Sequence, residues 1–505
     1  MLDAFFQGIE LVLRLDTFLM VGVGLVLGML VGALPGFTTV MAMAVLLPLS
    51  FFLDPLVGIP FLIGVYKGGI YGGSVPAILV SMPGTGAAVA TTFDGPALTK
   101  KRQSRKALEM ALYASVFGDL SSDVITILLI GPIALLALQI GPPELAAVLL
   151  LSLVIIAVTG SGVIVKGLLM MLLGLYLAMI GQDPIGALSR FTFDTFSLRS
   201  GIPLLPMLIG VFALPEILIA VEKKAVAFIE RLPGVRDSAR SGERLTFAEF
   251  RRCFRTICRS TVIGTSIGVI PGVGQVVAAF MGYAAAKSAS DHPETFGKGE
   301  LEGVAAAEAA NNAVNGPTLV PLLTLGIPGD NITAILLGAF VAQGLRPGPQ
   351  LFTEQGALVY AIMIAMVLAN VLFLVLGYLL IPLFAKVVTL RKALLLPLTV
   401  IFAFAGTYVF RSNPMDLYFL VIFGAFGYAA KKLRFDVTPM VMGFILGPLL
   451  EYAFGQTVTL AQGDLTGYLL FDRPIAVAIL AATPLIAFGL WRRSARMRRE
   501  VRTLT

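Results

Sequence analysis

The sequence predicts an all-α polytopic membrane protein made of two inverted repeats, each with a re-entrant broken-helix hairpin. Three observations carry that prediction. The 505 residues are 57% hydrophobic and only 13% charged, where soluble domains carry roughly 25% charged residues. The apolar runs are about 20 residues long and do not alternate with period two, so they read as helices rather than barrel strands. Two stretches, "SMPGTGAAVATTFDG" (Ser81–Gly95) and "TLGIPGDNITAILLGA" (Thr324–Ala339), break apolar runs with the same Pro-Gly pair followed by small and hydroxylated residues.

The net charge of +7 comes from short clusters between apolar segments, which is the positive-inside pattern rather than a nucleic-acid footprint. Lys100, Lys101, Arg102, Arg105 and Lys106 form one cluster. The linker 222–260 holds ten Lys/Arg against five Asp/Glu. Lys431, Lys432 and Arg434 form another, and Arg492, Arg493, Arg496, Arg498, Arg499 and Arg502 crowd the tail. Lys386, Arg391 and Lys392 are a weaker group. Placing all of these in the cytoplasm gives helices near 107–139, 145–160, 162–182 and 203–221, then an outward crossing over 261–287. "SASDHPETFGKGELEG" (Ser288–Gly303) then falls outside. Helix 358–384 returns inward, followed by the pairs 393–411 with 416–430 and 438–453 with 475–492. This count of eleven spans puts the N-terminal segment outside and the C-terminus in the cytoplasm. It also requires 60–99 and 300–346 to enter and leave on one side. The 17 residues from Pro83 to Lys100 reach about 25 Å at most as helix, so both segments read as re-entrant hairpins with Pro-Gly at their tips.

The halves superimpose along the sequence. "GALPG" (Gly32–Gly36) matches "GVIPG" (Gly268–Gly272), 236 residues on, while Pro76 matches Pro321 and Pro83-Gly84 matches Pro328-Gly329, 245 residues on. The expected organisation is a first repeat, 1–221, with its hairpin near 60–99. A basic cytoplasmic linker, 222–260, leads to a second repeat, 261–505, with its hairpin near 300–346. Paired broken helices in inverted repeats are how many secondary transporters build a site at mid-membrane. Helix N-termini that start after Pro83-Gly84 and Pro328-Gly329 point partial positive charge at an anion. Hydroxyls of Ser81, Thr85, Thr91, Thr92, Thr324 and Thr333 add donors. Unwound carbonyls, as at Gly36 and Gly272, and C-terminal helix ends suit a cation. The plainer reading is that Pro-Gly only kinks helices for packing.

"EGVAAAEAANNAVNGPTLVP" (Glu302–Pro321) places Glu308, Asn311, Asn312 and Asn315 in a small-residue helix. Glu308 and Asn312 share one face, Asn311 and Asn315 the next. A charge at mid-membrane costs about 2.5–3.5 kcal/mol even on the lenient scale, so such residues mark ion or substrate paths unless they are interhelical hydrogen-bond glue. Lys67, in "YKGGIYGGS", aligns with Asn312. It is open between pairing with substrate, pairing with a carboxylate, and snorkelling to the interface. Cys253 and Cys258 have no second pair for a metal site, and His292 reads as a surface residue. The opening "MLDAFFQGIELVLRLD" carries Asp3, Glu10 and Asp16 and reads as amphipathic rather than as a cleavable signal peptide. No G-x₄-GK[ST] motif, metal cluster or nucleophile–base pair is present, which argues against an ATPase or an enzyme.

"GALPGFTTVMAMAVLLPLSF", "YGGSVPAILVSMPGTGAAVATTFDGPAL", "GKGELEGVAAAEAANNAVNGPTLVPLLTLGIPG" and "GLRPGPQLF" resemble the large membrane subunit of tripartite tricarboxylate transporters, the TctA type. The resemblance implies a bacterial inner-membrane system. Its other parts are a small membrane subunit of about four helices and a periplasmic substrate-binding protein. It implies uptake of citrate-like di- and tricarboxylates with Na⁺ or H⁺, by an elevator-like motion, with no other cofactor. The family's glycine-rich tips match Pro83, Gly84 and Thr85, and Pro328 and Gly329; its Glu-Ala-Ala-Asn-Asn run matches Glu308 to Asn312. Asp330 departs from the small residue expected after the second Pro-Gly, where an N-cap role competes with cation binding or altered substrate choice. The alternative is a stand-alone ion-coupled organic-anion carrier or antiporter that works without a binding protein.

Overall fold

The computed structural model describes residues 2–160, 163–222, 243–388 and 392–504. Its first helices are α1 (Leu2–Val12), α2 (Leu15–Gly32), α3 (Thr39–Ser50), α4 (Pro55–Val80), α5 (Gly95–Lys100) and α6 (Ser104–Ala137), with a 3₁₀ segment, Ala87–Phe93, before α5. Then come α7 (Pro142–Gly160), α8 (Ile164–Ala178), α9 (Phe196–Arg199), α10 (Leu204–Phe212) and α11 (Leu214–Glu222). A two-stranded antiparallel ribbon, β1 (Gly181–Gln182) and β2 (Ser189–Arg190), separates α8 from α9. The later helices are α12 (Phe247–Gly268), α13 (Gly274–Ala289), α14 (Leu301–Asn312), α15 (Leu319–Leu325), α16 (Asn331–Ala342), α17 (Pro349–Glu354) and α18 (Gly356–Val387). The last are α19 (Lys392–Arg411), α20 (Pro414–Lys432), α21 (Thr438–Leu460), α22 (Leu465–Gly467) and α23 (Pro474–Leu504). Among the described residues, seven helices are long and apolar enough to cross a membrane, or eight if the bent pair Leu465–Asp472 and Pro474–Leu490 is one span. The chain is a multi-pass helical membrane protein. The eleven expected spans include stretches that fold as shorter or broken helices: α8 has 15 residues, and 261–287 is split between α12 and α13.

The chain forms two compact units. One is Met1–Ala134, Glu216–Ile270 and Gly274–Phe410; the other is Leu135–Pro215, Pro271–Val273 and Arg411–Thr505. Each draws on both halves of the sequence.

In the first unit α2 and α4 run side by side in the same direction. A Cβ added at Gly24, Gly28 or Gly32 would meet the carbonyl of Phe61, Val65 or Gly69 in turn, and one at Gly64, Gly68 or Gly72 would meet Val21, Leu25 or Met29. Small residues spaced by four let two backbones touch. At Pro35-Gly36 the chain turns, with Gly36 at φ 83, and α3 runs back along α4, Thr39 against Gly69 and Ser50 against Gly58. Asp54 caps α4, accepting from Leu56 N at 2.9 Å. The helix then continues for 26 residues, about 39 Å at 1.5 Å per residue. Its far end lies beside Thr99, whose hydroxyl donates to the Ile78 carbonyl at 2.8 Å.

The second half repeats the arrangement. α12 runs alongside α14 in the same direction, with Thr256 bonded to Glu302, Gly264 against Ala310 and Gly268 against Val314. The chain turns at Pro271-Gly272, and α13 returns along α14, with Gln275 bonded to Asn315 at 3.1 Å and Gly282 against Ala306. Gly28–Val65 and Gly32–Gly69 thus correspond to Gly264–Ala310 and Gly268–Val314 at the offsets of 236 and 245 seen in the sequence. The directions are opposite. The basic end of the unit holds the C-terminus of α4 but the N-termini of α12 and α14. There Lys101 Nζ donates to the Lys298 carbonyl at 2.8 Å, and Arg252 pairs with Glu300 at 2.6 Å.

Three expectations are corrected by this packing. Segment 261–287 is not one outward crossing, because Pro271-Gly272 folds it into an antiparallel pair. Ser288–Gly303 therefore lies with Lys101 and Arg252 rather than on the far side. Segments 60–99 and 300–346 each run from one end of the unit to the other. Gln343 Nε2 donates to the Ser50 carbonyl at 2.9 Å, at the end away from Lys101. Their Pro-Gly pairs are local backtracks. The antiparallel returning pairs are α2 with α3 and α12 with α13. Of the basic linker, 223–242 lies outside the described residues, as does Arg391 of the weaker cluster. From Phe247 the linker is helical as α12, begun by a Thr246–Glu249 capping box.

In the second unit Arg190 clamps Glu451 through two bonds of 2.6 and 2.9 Å, which ties β2 to α21. A Cβ at Gly443 would lie 2.5 Å from the Met171 carbonyl, so α8 and α21 are also in backbone contact.

A Cβ at Gly72 would lie 2.5 Å from the Met29 carbonyl, whereas one at Gly22 has nothing nearer than a leucine methyl at 3.9 Å. Gly72→Ala is expected to cost about 1–3 kcal/mol through overpacking, and Gly22→Ala nearly nothing. Thermal unfolding of the detergent-solubilised chain, followed by size exclusion, measures the difference.

Candidate functional site

The two Pro-Gly backtracks approach one short stretch of chain, the first turn of α13. After α4 ends at Ser81, an exposed residue at φ 56, the chain doubles back. Gly84 N donates to the Gly73 carbonyl at 3.0 Å, and a Cβ on Gly84 would lie 2.5 Å from the Gly32 carbonyl. Thr85 Oγ1 accepts from Ala88 N at 3.2 Å and so starts the 3₁₀ segment. A Cβ on the next residue, Gly86, would lie 3.1 Å from the Val276 side chain. In the second half Gly329 packs against the Thr318 hydroxyl, as Gly84 packs against Gly73. Asp330 caps α16: its Oδ1 accepts from Thr333 N at 2.8 Å, and Asp330 N donates to Thr333 Oγ1 at 2.9 Å. A Cβ on Gly274 would lie 3.6 Å from Asp330 Cβ. Gln275 Nε2 donates to Asn315 Oδ1 at 3.1 Å and to Tyr66 OH at 2.6 Å, and Tyr66 OH donates to Asp330 Oδ2 at 3.2 Å. The place is open on one side, since Met82 and Val276 are each 43% exposed.

Beneath it lies a buried ion cluster. Lys67 of α4 is fully enclosed and pairs with Asp119 at 2.9 Å and Asp123 at 2.6 Å, both on α6. Asn370 of α18 donates to Asp123 Oδ2 at 2.6 Å. Asp119 Oδ2, Asp123 Oδ1 and Asn370 Oδ1 make no hydrogen bond among the described residues. Two carboxylates thus face one ammonium.

A third buried carboxylate, Glu308 on α14, is held among the described residues by hydroxyls alone. Ser74 Oγ donates to Oε1 at 2.6 Å, Thr91 also donates to Oε1, and Ser115 Oγ donates to Oε2 at 3.3 Å. Asn312 Nδ2 donates to Ser115 Oγ at 2.8 Å and to the Glu308 carbonyl at 3.0 Å. Among the described residues no group of three His, Cys, Asp or Glu side chains is placed to hold a metal ion.

The sequence profile described as the tripartite tricarboxylate transporter TctA family matches residues 18–442. The chain belongs to the TctA family. Within it, an uncharacterized 52.8 kDa protein of the TAR-I ttuC' 3' region of Agrobacterium vitis is 36% identical over 459 residues, covering 91% of this chain and 90% of that protein. An uncharacterized protein of the TAR-II ttuC' 3' region of the same organism is 40% identical over 217 residues, 43% of this chain and 89% of that protein. No solved structure matches. Membership makes this TctA chain the membrane subunit of a tripartite tricarboxylate transporter.

The residues singled out in this TctA sequence fall into separate groups. Ser81, Pro83, Gly84 and Thr85 form the first backtrack; Pro328, Gly329, Asp330 and Thr333 form the second. Glu308 and Asn312 lie deeper, against Ser115. Asn311 is fully buried, and neither polar atom of its side chain is hydrogen-bonded among the described residues. Thr324 is buried, and its hydroxyl donates to the Val320 carbonyl at 2.7 Å within α15. Gly36 is exposed in its turn. Gly272 belongs to the second compact unit, where its carbonyl accepts from Thr159 Oγ1 at 3.0 Å. Lys67 takes the carboxylate-paired option, and full burial rules out snorkelling. Sequence reading missed Asp119, Asp123, Asn370, Ser74, Ser115, Tyr66 and Gln275. "GDLSSD" (Gly118–Asp123) did carry a signal, two aspartates at i,i+4 inside an apolar run.

Lys67→Met strands two buried carboxylates and is expected to cost about 3–5 kcal/mol. Adding Asp119→Asn and Asp123→Asn should recover most of that loss in a thermal-unfolding series. Asp330→Ala removes a cap worth about 0.5–2 kcal/mol, and Asp330→Ser should keep most of the stability by retaining a capping oxygen.

Proposed function

We propose that this chain is the large transmembrane subunit of a binding-protein-dependent secondary transporter. It imports citrate-like di- and tricarboxylates across the bacterial inner membrane, in symport with Na⁺ or H⁺, by elevator-like alternating access. Its partners are a small membrane subunit of about four helices and a periplasmic protein that delivers the carboxylate. The observation that carries the reading is the meeting of both Pro-Gly backtracks, one from each half, at the first turn of α13. Backbone N–H groups at the starts of α13 and α16 suit carboxylate oxygens. Gly86 and Gly274 let a ligand approach the backbone, and Ser81 and Thr85 supply side-chain hydroxyls. Asn311 and Asn312 stand behind this site as polar groups at depth.

Inverted repeats are supported by the recurrence of helix contacts at the sequence offsets with reversed direction. In this reading α2–α3 and α12–α13 are the re-entrant pairs, entering from opposite faces. The basic end faces the cytoplasm by the positive-inside rule, and the Arg-rich C-terminus lies there too. Separate compact units are what an elevator-like motion requires. Coupling follows from charge. Each negative charge moved inward against about 100 mV costs about 2.3 kcal/mol, so a dianion needs about two cations to cancel the potential and more to accumulate.

The test is uptake of labelled citrate, with other carboxylates in parallel, into proteoliposomes holding this chain and its small partner. Imposed Na⁺ and pH gradients are varied, with and without the soluble binding protein. Uptake is expected to need the binding protein and one cation gradient, and to fall at least tenfold in Gly84→Val and Gly329→Val. Uptake by this chain alone, or flux indifferent to both gradients, would overturn the proposal.

A further inference from the structure

We propose that Glu308, Ser74, Thr91, Ser115 and Asn312 form the binding site of a Na⁺ ion, and that its occupancy fixes the 3₁₀ arm that follows the first Pro-Gly backtrack. This rests on the symport reading and names the place and identity of one coupling ion.

The five side chains come from four elements: Ser74 from α4, Thr91 from the 3₁₀ segment, Ser115 from α6, and Glu308 and Asn312 from α14. None is more than 1% exposed. Every group offered is an oxygen, the ligand set of a hard cation, with no imidazole or thiolate that would favour a transition metal. One carboxylate supplies one negative charge, which matches a monovalent ion rather than Ca²⁺ or Mg²⁺.

Two observations point to a ligand. First, Glu308 has no cationic partner among the described residues, since Lys67 is committed to Asp119 and Asp123. A buried carboxylate answered only by neutral hydroxyls is a costly arrangement. Second, Asn312 Oδ1 is fully buried and makes no hydrogen bond, although the same amide touches Ser115 through Nδ2. A cation among these oxygens answers both. Each hydroxyl has one proton and two lone pairs. As the ion enters, Ser74 and Ser115 can turn their protons to the preceding helical turn, a common Ser habit, and give lone pairs to the ion. No bond is made or broken.

Thr91 connects the ion to the substrate. It lies five residues beyond Gly86 on a short arm whose other end is pinned by Asp94. Asp94 Oδ1 accepts from Gly297 N, Gly299 N and Glu300 N at 2.8 Å each, and its Oδ2 accepts from Tyr283 OH at 2.9 Å. The other four ligands sit on α-helices. An ion would therefore add a tie between the middle of the arm, where Thr91 is buried, and the helices, five residues from Gly86. Linkage makes the effect reciprocal: whatever the ion does for carboxylate affinity, the carboxylate does for ion affinity.

The test is Na⁺ titration of the purified full chain in detergent, at constant ionic strength with choline, read by thermal unfolding and by ²²Na⁺ binding. A specific ion raises the melting temperature with its concentration. Wild type is expected to show saturable stabilisation by Na⁺ and not by K⁺. Glu308→Gln should abolish it, and Thr91→Val and Ser74→Ala should weaken the apparent affinity at least tenfold. Thr91→Ser should restore it, which excludes misfolding as the cause. Wild-type Na⁺ titration by all three defective variants, with Na⁺-driven uptake intact, would overturn this site and leave symport standing. Proton-driven uptake lost in Glu308→Gln, with no Na⁺ effect on wild type, would replace the ion by a proton and overturn the Na⁺ assignment. Uptake indifferent to both gradients in wild type would remove the symport reading itself.

Discussion

Backbone contact between glycine-lined helices is the constraint on which the rest depends. In lipid, helices gain little from burying apolar side chains against one another, so close packing and polar contacts must hold them. α2 and α4 answer with glycines on both partners, at 24, 28 and 32 against 64, 68 and 72. That contact runs up to the first break, and Gly84 is laid over its last turn, against Gly32 and Gly73. A side chain at Gly73 or Gly84 would press on the backtrack itself. The second half solves the same problem with Gly264 and Gly268 against the small-residue face of α14, and Gly329 closes over Thr318 in turn.

Unequal parts of this were legible in the sequence. The breaks were, because Pro and Gly act locally and membrane depth gives a break a definite cost. The close helix contacts at Gly28, Gly32, Gly264 and Gly268 fall at the spacings of 236 and 245 read in the sequence. Which segments reverse was not legible. Charge counting reads loops, and the run 261–287 is apolar throughout, so nothing in its hydropathy shows that α13 retraces the path of α12. Reading 261–287 as a single crossing places Ser288–Gly303 on the far side and requires reversals within 60–99 and 300–346. Glu300 of that loop in fact pairs with Arg252.

The buried charges show a second limit. Lys67 and Asp123 stand far apart in sequence, and no periodicity links α4 to α6. Lys67 read alone kept three meanings until its partners were seen. Glu308 and Asn312 were conspicuous because polar residues are rare in such helices. The hydroxyls that surround Glu308 were not, since Ser and Thr are commonplace there and usually bond their own helix, as Thr324 does to Val320.

In the proposed symporter these two carboxylate sites would divide the labour. The Lys67 cluster carries its own cation, and its pairs tie α4 to α6 while Asn370 adds α18. It is built to be rigid, and losing one member leaves charge with nowhere to go. Among the described residues Glu308 has no cationic partner, and Thr91 joins it to the short 3₁₀ arm. A pair closed within long helices has no link to the first break, whereas Thr91 lies on the segment that follows it. Coupling requires differential contact in two states, and in this unit Thr91 is the group through which Glu308 reaches the arm of the first break. The ion and the carboxylate need not touch for each to depend on the other; they need only share the arm between Gly86 and Asp94.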